Sequence, residues 1–118
     1  MTNTPAPKPA QKPKAKHCET MADVRREIDR LDRELVHLMA ERLRYIEEAA
    51  RVKQNRDTVR DTDRIEDVVS KVLAEAKIKG LAAEVAEPVW RLLIERSIAH
   101  EYEKFDAEKA ASEKSAAE

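Results

Sequence analysis

The sequence predicts an all-α fold, a three-helix chain whose first helix is very long. Among the 118 residues there is one glycine, and aromatic residues make up only 3%. Strands favour β-branched and aromatic side chains joined by turn-forming residues, so this composition disfavours a sheet. Apolar residues also recur at steps of three and four over more than thirty positions, which is typical of an amphipathic helix. We expect a single small domain, and pairing with a second copy would help to cover so long a helix.

The N-terminal segment, residues 1–17, is predicted to be a disordered basic arm. Its first sixteen residues contain four of the five prolines and four lysines, and no acidic residue. Such a composition lacks the apolar surface needed for folding. A targeting peptide is the alternative, although the segment lacks arginine and an amphipathic stripe. We therefore expect a dispensable extension ahead of the folded domain.

The folded domain is predicted to span residues 18–105 and to open with the long helix. This helix should run from residue 21 to about residue 54, with Thr20 or Asp23 as its N-cap. Its apolar stripe begins with Val24, Ile28, Leu31, Leu35 and Leu38.

The second and third helices follow a polar break at residues 55–63. Residues in the break that can cap the second helix are Asp57, Asp61, Thr62 and Asp63. This helix should end at Gly80, since glycine readily adopts the left-handed conformation that terminates helices. Pro88 is expected near the first turn of the third helix, where its missing N–H does least harm. The third helix should reach about Phe105, and residues 106–118 are predicted to be a frayed or disordered charged tail.

Two cations interrupt the apolar stripe of the first helix. At helical spacing, its second half contains Leu35, Met39, Arg42, Ile46, Ala49 and Lys53. Arg42 and Lys53 are about three turns and ~16 Å apart on nearly the same face. An unpaired buried charge is costly, so local carboxylates or an anionic ligand must neutralise them. They could hold a small dianion between them, or they could extend to water from a helix seam.

Arg25 is a third candidate cation, on the flank of the same stripe. It lies seventeen residues before Arg42, which on an ideal helix is ~25 Å away and rotated by about 100°. It therefore cannot join a small site formed by Arg42 and Lys53 of the same chain. If Arg25 contributes, it must come from a second copy running antiparallel alongside, which would create two equivalent sites in a symmetric homodimer.

Charge balance and missing motifs disfavour several functions. The formal net charge is -1, from 23 basic and 24 acidic residues, which argues against nucleic acid as the main partner. No stretch is apolar enough to predict a membrane span, and the single cysteine, Cys18, suits a reducing cytoplasm. The three histidines lack metal-ligand spacing, and no phosphate-binding loop, nucleophile elbow or nucleotide fingerprint occurs. We therefore expect no metal and no cofactor, and a reaction that needs only positioning and electrostatic stabilisation.

Several segments resemble the small all-α chorismate mutases, whose fold is shared with isochorismate-pyruvate lyase. The resemblance covers about residues 18–105. It is carried by four motifs. The first is R-x-x-I-D-x-L-D, which begins at Arg25, and the second is the pair Glu41 and Arg42, with Lys53 eleven residues after the arginine. The third is R-D-x-x-R, which begins at Arg60, and the fourth is LLIERSIAHE at residues 92–101. The resemblance implies an intertwined homodimer, in which each long helix gives residues to both sites and Arg25 comes from the partner subunit.

The resemblance also implies roles for the cations. Arg25 and Arg42 would bind the carboxylates of a small dicarboxylate substrate, with Arg64 as a supporting cation nearby. Lys53 would contact a carboxylate and the ether oxygen whose bond breaks.

The resemblance also implies roles for the uncharged and acidic side chains of the site. Asp61 would act mainly through its backbone near the ring hydroxyl, and Ser97 would line the pocket. Purely structural roles are the alternative: Asp61 can be a helix cap, Ser97 a packing residue and Glu101 a solvated charge. Mutases usually have a glutamate directly after R-D-x-x-R, where this chain has Ile65. An apolar residue there suggests the lyase branch, whereas Glu101, at a position where relatives have glutamine or glutamate, favours the mutase.

The function implied by the resemblance is a cofactor-free rearrangement of chorismate to prephenate in the cytoplasm. Arg42, Lys53 and Glu101 would be the catalytic residues, and isochorismate-pyruvate lyase is the alternative activity. A non-catalytic helical dimerisation module is a further alternative. An ionised Glu101 would repel negative charge developing on the ether oxygen, so its working form should be neutral. Turnover should therefore fall as the pH rises.

Overall fold

Three α-helices make up nearly all of the computed structural model, which describes residues 12–117. Helix α1 spans Met21–Val52, α2 spans Thr62–Lys79 and α3 spans Ala83–Ala117, with one short 3₁₀ turn at Arg56–Thr58. No strand occurs among the described residues. The predicted all-α, three-helix chain with a long first helix is confirmed, whereas the intertwined homodimer stays a prediction.

Local capping sets where α1 begins. The Thr20 side chain accepts a hydrogen bond from the backbone N–H of Asp23 at 3.2 Å, and the Asp23 carboxylate accepts one from the N–H of Thr20 at 3.3 Å. The two candidate caps therefore act together as a capping box. At the other end, Lys53 is the C-cap, and its N–H donates to Ala49 O at 3.0 Å.

Helix α2 is delimited by Asp61 and Gly80. Of the four candidate caps, Asp61 is the one used: its Oδ1 accepts from the N–H of Arg64 at 3.1 Å. Gly80 has a φ of 74°, and the next residue, Leu81, donates its N–H to Ala76 O at 2.8 Å. A side chain with a Cβ rarely adopts this φ, which is why glycine ends the helix here.

Helix α3 differs from the prediction at its C-terminal end. It begins at Ala83, so Pro88 lies in its second turn, near the first turn as predicted. The helix also continues to Ala117, so residues 106–117 are helical where a frayed or disordered tail was predicted. The high helix propensity of alanine, glutamate and lysine accounts for this continuation. Residues 12–17 have no regular secondary structure, and the rest of the predicted arm, together with residue 118, lies outside the described residues.

The core lies where α3 packs against both α1 and α2. Its buried side chains are Ala50, Val59, Val69, Ile94, Ile98 and Phe105. This cluster involves only the C-terminal part of α1, because Ala50 is the single buried residue of that helix.

The N-terminal part of α1 projects away from the core and leaves its apolar stripe uncovered. Ile28, Leu31, Leu35 and Leu38 are 46–58% exposed. The radius of gyration is 19.6 Å, whereas a compact domain of about 100 residues has a value of roughly 13 Å. A long apolar face is therefore left without a partner in the part of the chain that the structure describes.

Candidate active site

A cavity of about 370 Å³ lies between α1, α3, the start of α2 and the segment that joins α1 to α2. Seven of the eight predicted site residues line it: Arg42, Lys53, Asp61, Arg64, Ile65, Ser97 and Glu101. The remaining wall consists of Thr58 and the apolar side chains of Ile46, Ala49, Val59, Val68, Ile94 and Ile98. The cavity therefore combines apolar walls with cations, a serine and two carboxylates, which suits a small polar ligand.

Arg42 is a half-buried cation without a carboxylate partner among residues 12–117. Its Nη1 donates a hydrogen bond of 2.8 Å to Ser97 Oγ, and that hydroxyl in turn donates to Leu93 O at 2.7 Å. Burial lowers the pKa of Arg42, and the positive charge of Arg64 lowers it further. An arginine stays protonated despite such shifts, so Arg42 brings an uncompensated positive charge into the cavity.

Lys53 lies at the other side of the cavity and is neutralised there. Its Nζ is 2.7 Å from Glu101 Oε2, and 3.5 Å from the backbone oxygen of Val59. Glu101 is 4% exposed. It is therefore a buried residue and not a solvated charge on the surface. Of the two cations in the stripe, Lys53 has a local counter-charge, and Arg42 has none among residues 12–117.

The start of α2 contributes three residues to the cavity. Asp61 caps the helix with its side chain while lining the cavity, so its structural role is established and any role toward a ligand stays a prediction. Arg64 also pairs with Asp67 at 2.6 Å on the outer surface. Ile65 presents an apolar side chain to the cavity at the position after R-D-x-x-R.

Arg25 does not line the cavity. It is exposed on the N-terminal part of α1, far from the residues that meet α3. Within one chain it cannot reach a ligand held by Arg42 and Lys53, as helix geometry required. The role of Arg25 in a site shared between two chains stays a prediction.

Val59 and Thr58 are cavity residues that sequence reasoning missed. They lie in the polar break, where helical periodicity gives no information. Val59 is nevertheless 4% exposed, and its backbone oxygen faces Lys53. The one usable signal was a single β-branched apolar residue inside an otherwise polar segment.

The arrangement is suited to binding an anion with two separated negative groups. Arg42 and Lys53 project from one side of α1 into the same cavity, and Ser97 and Glu101 face them from α3. Rigid helices position all four side chains, which favours preorganised electrostatic interactions over induced ones. No cluster of three or more metal-ligating side chains occurs among residues 12–117.

The fold and the cavity define an all-α protein with a cation-lined cavity. Residues 24–102 match the chorismate mutase type II family, and the chain belongs to that family. A curated relative is the T-protein of Haemophilus influenzae, which is 34% identical over 84 residues, covering 70% of this chain. The chain spans 22% of the length of that relative. No described helix has the length and hydropathy needed to cross a membrane.

Proposed function

We propose that the protein is a chorismate mutase that converts chorismate to prephenate without a cofactor. The observation that carries the proposal is the pair formed by Arg42 and Lys53 in one cavity, with Arg42 lacking a carboxylate partner among the described residues. Membership of the chorismate mutase type II family supports the same conclusion. A dicarboxylate would supply the missing counter-charge of Arg42.

The proposed mechanism relies on orientation and electrostatics. Arg42 and Lys53 bind the two carboxylates and hold the enolpyruvyl side chain over the ring, so that less entropy is lost on reaching the transition state. Lys53 and Glu101 stabilise the negative charge that develops on the ether oxygen. Glu101 can donate a hydrogen bond to this oxygen only when it is protonated. No proton transfer to the protein and no covalent intermediate is required.

The proposal includes a homodimer in which Arg25 comes from the partner subunit. The uncovered stripe of α1, with Ile28 and Leu35 about half exposed, supports this assembly because so large an apolar face is rarely left in water. An antiparallel partner along α1 would cover this stripe. It would also bring a second Arg25 toward the cavity, as the ~25 Å separation within one chain demands.

Isochorismate-pyruvate lyase is the second candidate, and Ile65 is the observation that favours it. This side chain lines the cavity at a position where mutases usually have a glutamate, which accepts a hydrogen bond from the ring hydroxyl. An apolar residue there removes one hydrogen-bond acceptor for chorismate. The lyase would use the same cations on a closely related dicarboxylate and would give salicylate and pyruvate.

The deciding experiment supplies purified protein with chorismate and isochorismate separately and follows prephenate, salicylate and pyruvate. Prephenate from chorismate as the faster reaction supports the mutase, and salicylate with pyruvate from isochorismate supports the lyase. Arg42→Ala tests the site, and Arg51→Gln is its control, because Arg51 is an exposed arginine on the same helix that pairs with Glu48. Absence of both reactions would leave the helical dimerisation module as the better description.

A further inference from the structure

The segment of residues 54–61, which joins α1 to α2, forms one side of the cavity and has few anchors of its own. Its local hydrogen bonds are short-range, from Thr58 to Asn55 O and from Val59 to Arg56 O. Val59 is its only buried side chain. Yet this segment contributes Thr58, Val59 and Asp61 to the cavity wall. Its position on α3 therefore influences the shape of the site.

Two arginines of this segment bind carboxylates of α3 with two hydrogen bonds each. Arg56 donates from Nε and Nη2 to Asp106 at 3.0 and 3.4 Å. Arg60 donates from Nη1 and Nη2 to Glu95 at 3.1 and 2.7 Å. The guanidinium of Arg56 also lies 4.4 Å from the ring centroid of Tyr102. Paired hydrogen bonds of this kind fix the orientation of both partners, which a single contact does not.

The two carboxylates flank the part of α3 that faces the cavity. Glu95 and Asp106 are eleven residues apart, about three turns, and so lie on nearly the same side of the helix. Ser97, Ile98 and Glu101, which line the cavity, lie between them. The pairs thus fasten the segment at two points, one toward each end of the cavity. Asp106 lies beyond the residues that match the family, which end at 102.

We propose that Arg56 and Arg60 are positioning residues, which hold residues 54–61 against α3 through Asp106 and Glu95 and thereby set the geometry of the cavity. This proposal rests on the proposed function, because the reaction that it affects is the conversion of chorismate to prephenate. The connection to chemistry runs through Val59, whose backbone oxygen is 3.5 Å from Lys53 Nζ. A segment that moves away from α3 would change the surroundings of Lys53 without removing any group that contacts the substrate.

Both pairs are about half exposed, with side-chain exposures of 45–57%. Exposed ion pairs contribute little to global stability. The expected consequence of breaking one is therefore local movement of the segment with an almost unchanged unfolding temperature. This distinguishes a positioning role from a general stabilising role.

The test compares three variants. They are Arg60→Gln, Glu95→Gln and a charge-exchanged double variant that combines Arg60→Glu and Glu95→Arg. The matched control is Arg91→Gln, since Arg91 makes an equivalent paired contact from α3 to Glu66, at 3.1 and 3.1 Å, away from the joining segment. Each single variant should lower kcat/KM for chorismate roughly 1.5-fold to fivefold, the scale of a weak surface pair. The charge-exchanged variant should recover most of this loss, and the control should keep wild-type turnover.

A second readout does not depend on turnover. Hydrogen–deuterium exchange of residues 54–61 should be faster in Arg60→Gln than in the wild type and should return toward the wild-type rate in the charge-exchanged variant. Arg56→Gln and Asp106→Asn should give the same result for the second pair. Unchanged exchange in these variants, or an equal loss of activity in the Arg91 control, would overturn the proposal. If the wild type converts neither substrate, the proposed function falls, while the exchange rates still decide whether the pairs position the segment.

Discussion

Lys53 Nζ lies 2.7 Å from Glu101 Oε2 inside the cavity, and Glu101 is 4% exposed. The two side chains come from α1 and α3 and neutralise each other. Arg42, eleven residues earlier on α1, has only the hydroxyl of Ser97 as a side-chain partner among the described residues. A dianionic substrate therefore meets one uncompensated cation and one that a carboxylate already holds. Protonation of Glu101 would release the full charge of Lys53 to the substrate.

The first prediction concerns these two cations. Arg42→Ala or Lys53→Ala should lower kcat/KM by a factor of roughly 10² or more, the scale expected when one preorganised electrostatic contact is removed. Folding should survive, as measured by circular dichroism and size-exclusion chromatography. Arg51→Gln, the exposed control on the same helix, should keep wild-type turnover. Near-normal activity in a folded Arg42 or Lys53 variant would show that these side chains only extend to water from the helix seam.

The second prediction concerns Glu101 as the donor to the ether oxygen. Glu101→Gln keeps the shape of the side chain and provides a permanent hydrogen-bond donor, so it should retain activity. Glu101→Ala removes the donor and should lower kcat/KM by a factor of roughly 10². The measurement is kcat/KM for both variants and the wild type at one pH, with folding checked by circular dichroism. A folded but inactive Gln variant would exclude Glu101 as the donor to the ether oxygen.

The third prediction tests whether Arg25 crosses between subunits. Arg25→Ala and Lys53→Ala should each be inactive alone, but mixing them should restore activity, because a heterodimer contains one site with both residues intact. Subunit exchange must be verified independently, for example with differently tagged chains. Exchange without any recovery of activity would show that Arg25 does not complete the site of the partner subunit.

The fourth prediction uses a contact between α1 and α3 outside the cavity. Glu47 lies 2.6 Å from His100 Nε2, with Arg44 at 3.3 Å and Lys104 at 3.9 Å. The hydrogen bond with His100 holds the pKa of Glu47 below its usual value, and the charges of Arg44 and Lys104 add to this effect. A lowered pKa in the folded state means that the ionised carboxylate stabilises the fold above the ordinary glutamate pKa of about 4.3. This contribution is lost as the pH falls through the lowered value.

Glu47→Gln should therefore melt below the wild type at neutral pH, and the difference should shrink as the pH is lowered below about 4.3. Thermal unfolding followed by circular dichroism at several pH values measures this difference. Glu48→Gln is the neighbouring control, since Glu48 pairs with Arg51 of the same helix and does not join α1 to α3. A difference between wild type and Glu47→Gln that stays constant with pH would rule out the ionised carboxylate as its cause.

The helical parts of the structure were predictable because helix period and caps leave local signals. The stripe with Arg42 and Lys53 predicted two cations on one face, and both side chains line one cavity. Gly80 and the Thr20–Asp23 box set helix ends through interactions within a few residues, which sequence spacing records directly.

The joining segment and the tail were less predictable, since their structure depends on distant residues. Val59 is buried in a cluster formed by residues of all three helices, and Arg56 and Arg60 find their partners 50 and 35 residues away. The helical state of residues 106–117 continues from a helix already nucleated by packing, and a short charged tail judged in isolation lacks that nucleus. Likewise, periodicity left open whether a local carboxylate compensates Lys53, because Glu101 lies on another helix.

Lys53 is the first residue after the last turn of α1, with Arg42 three turns earlier on the same uninterrupted rod. The stretch from residue 42 to residue 53 consequently fixes both the distance and the angle between the two cations. Inserting or deleting one residue within it would swing one cation by about 100° and shift it by ~1.5 Å relative to the other. Relatives that keep this site should therefore tolerate length changes in the basic arm or beyond residue 106, but not between residues 42 and 53.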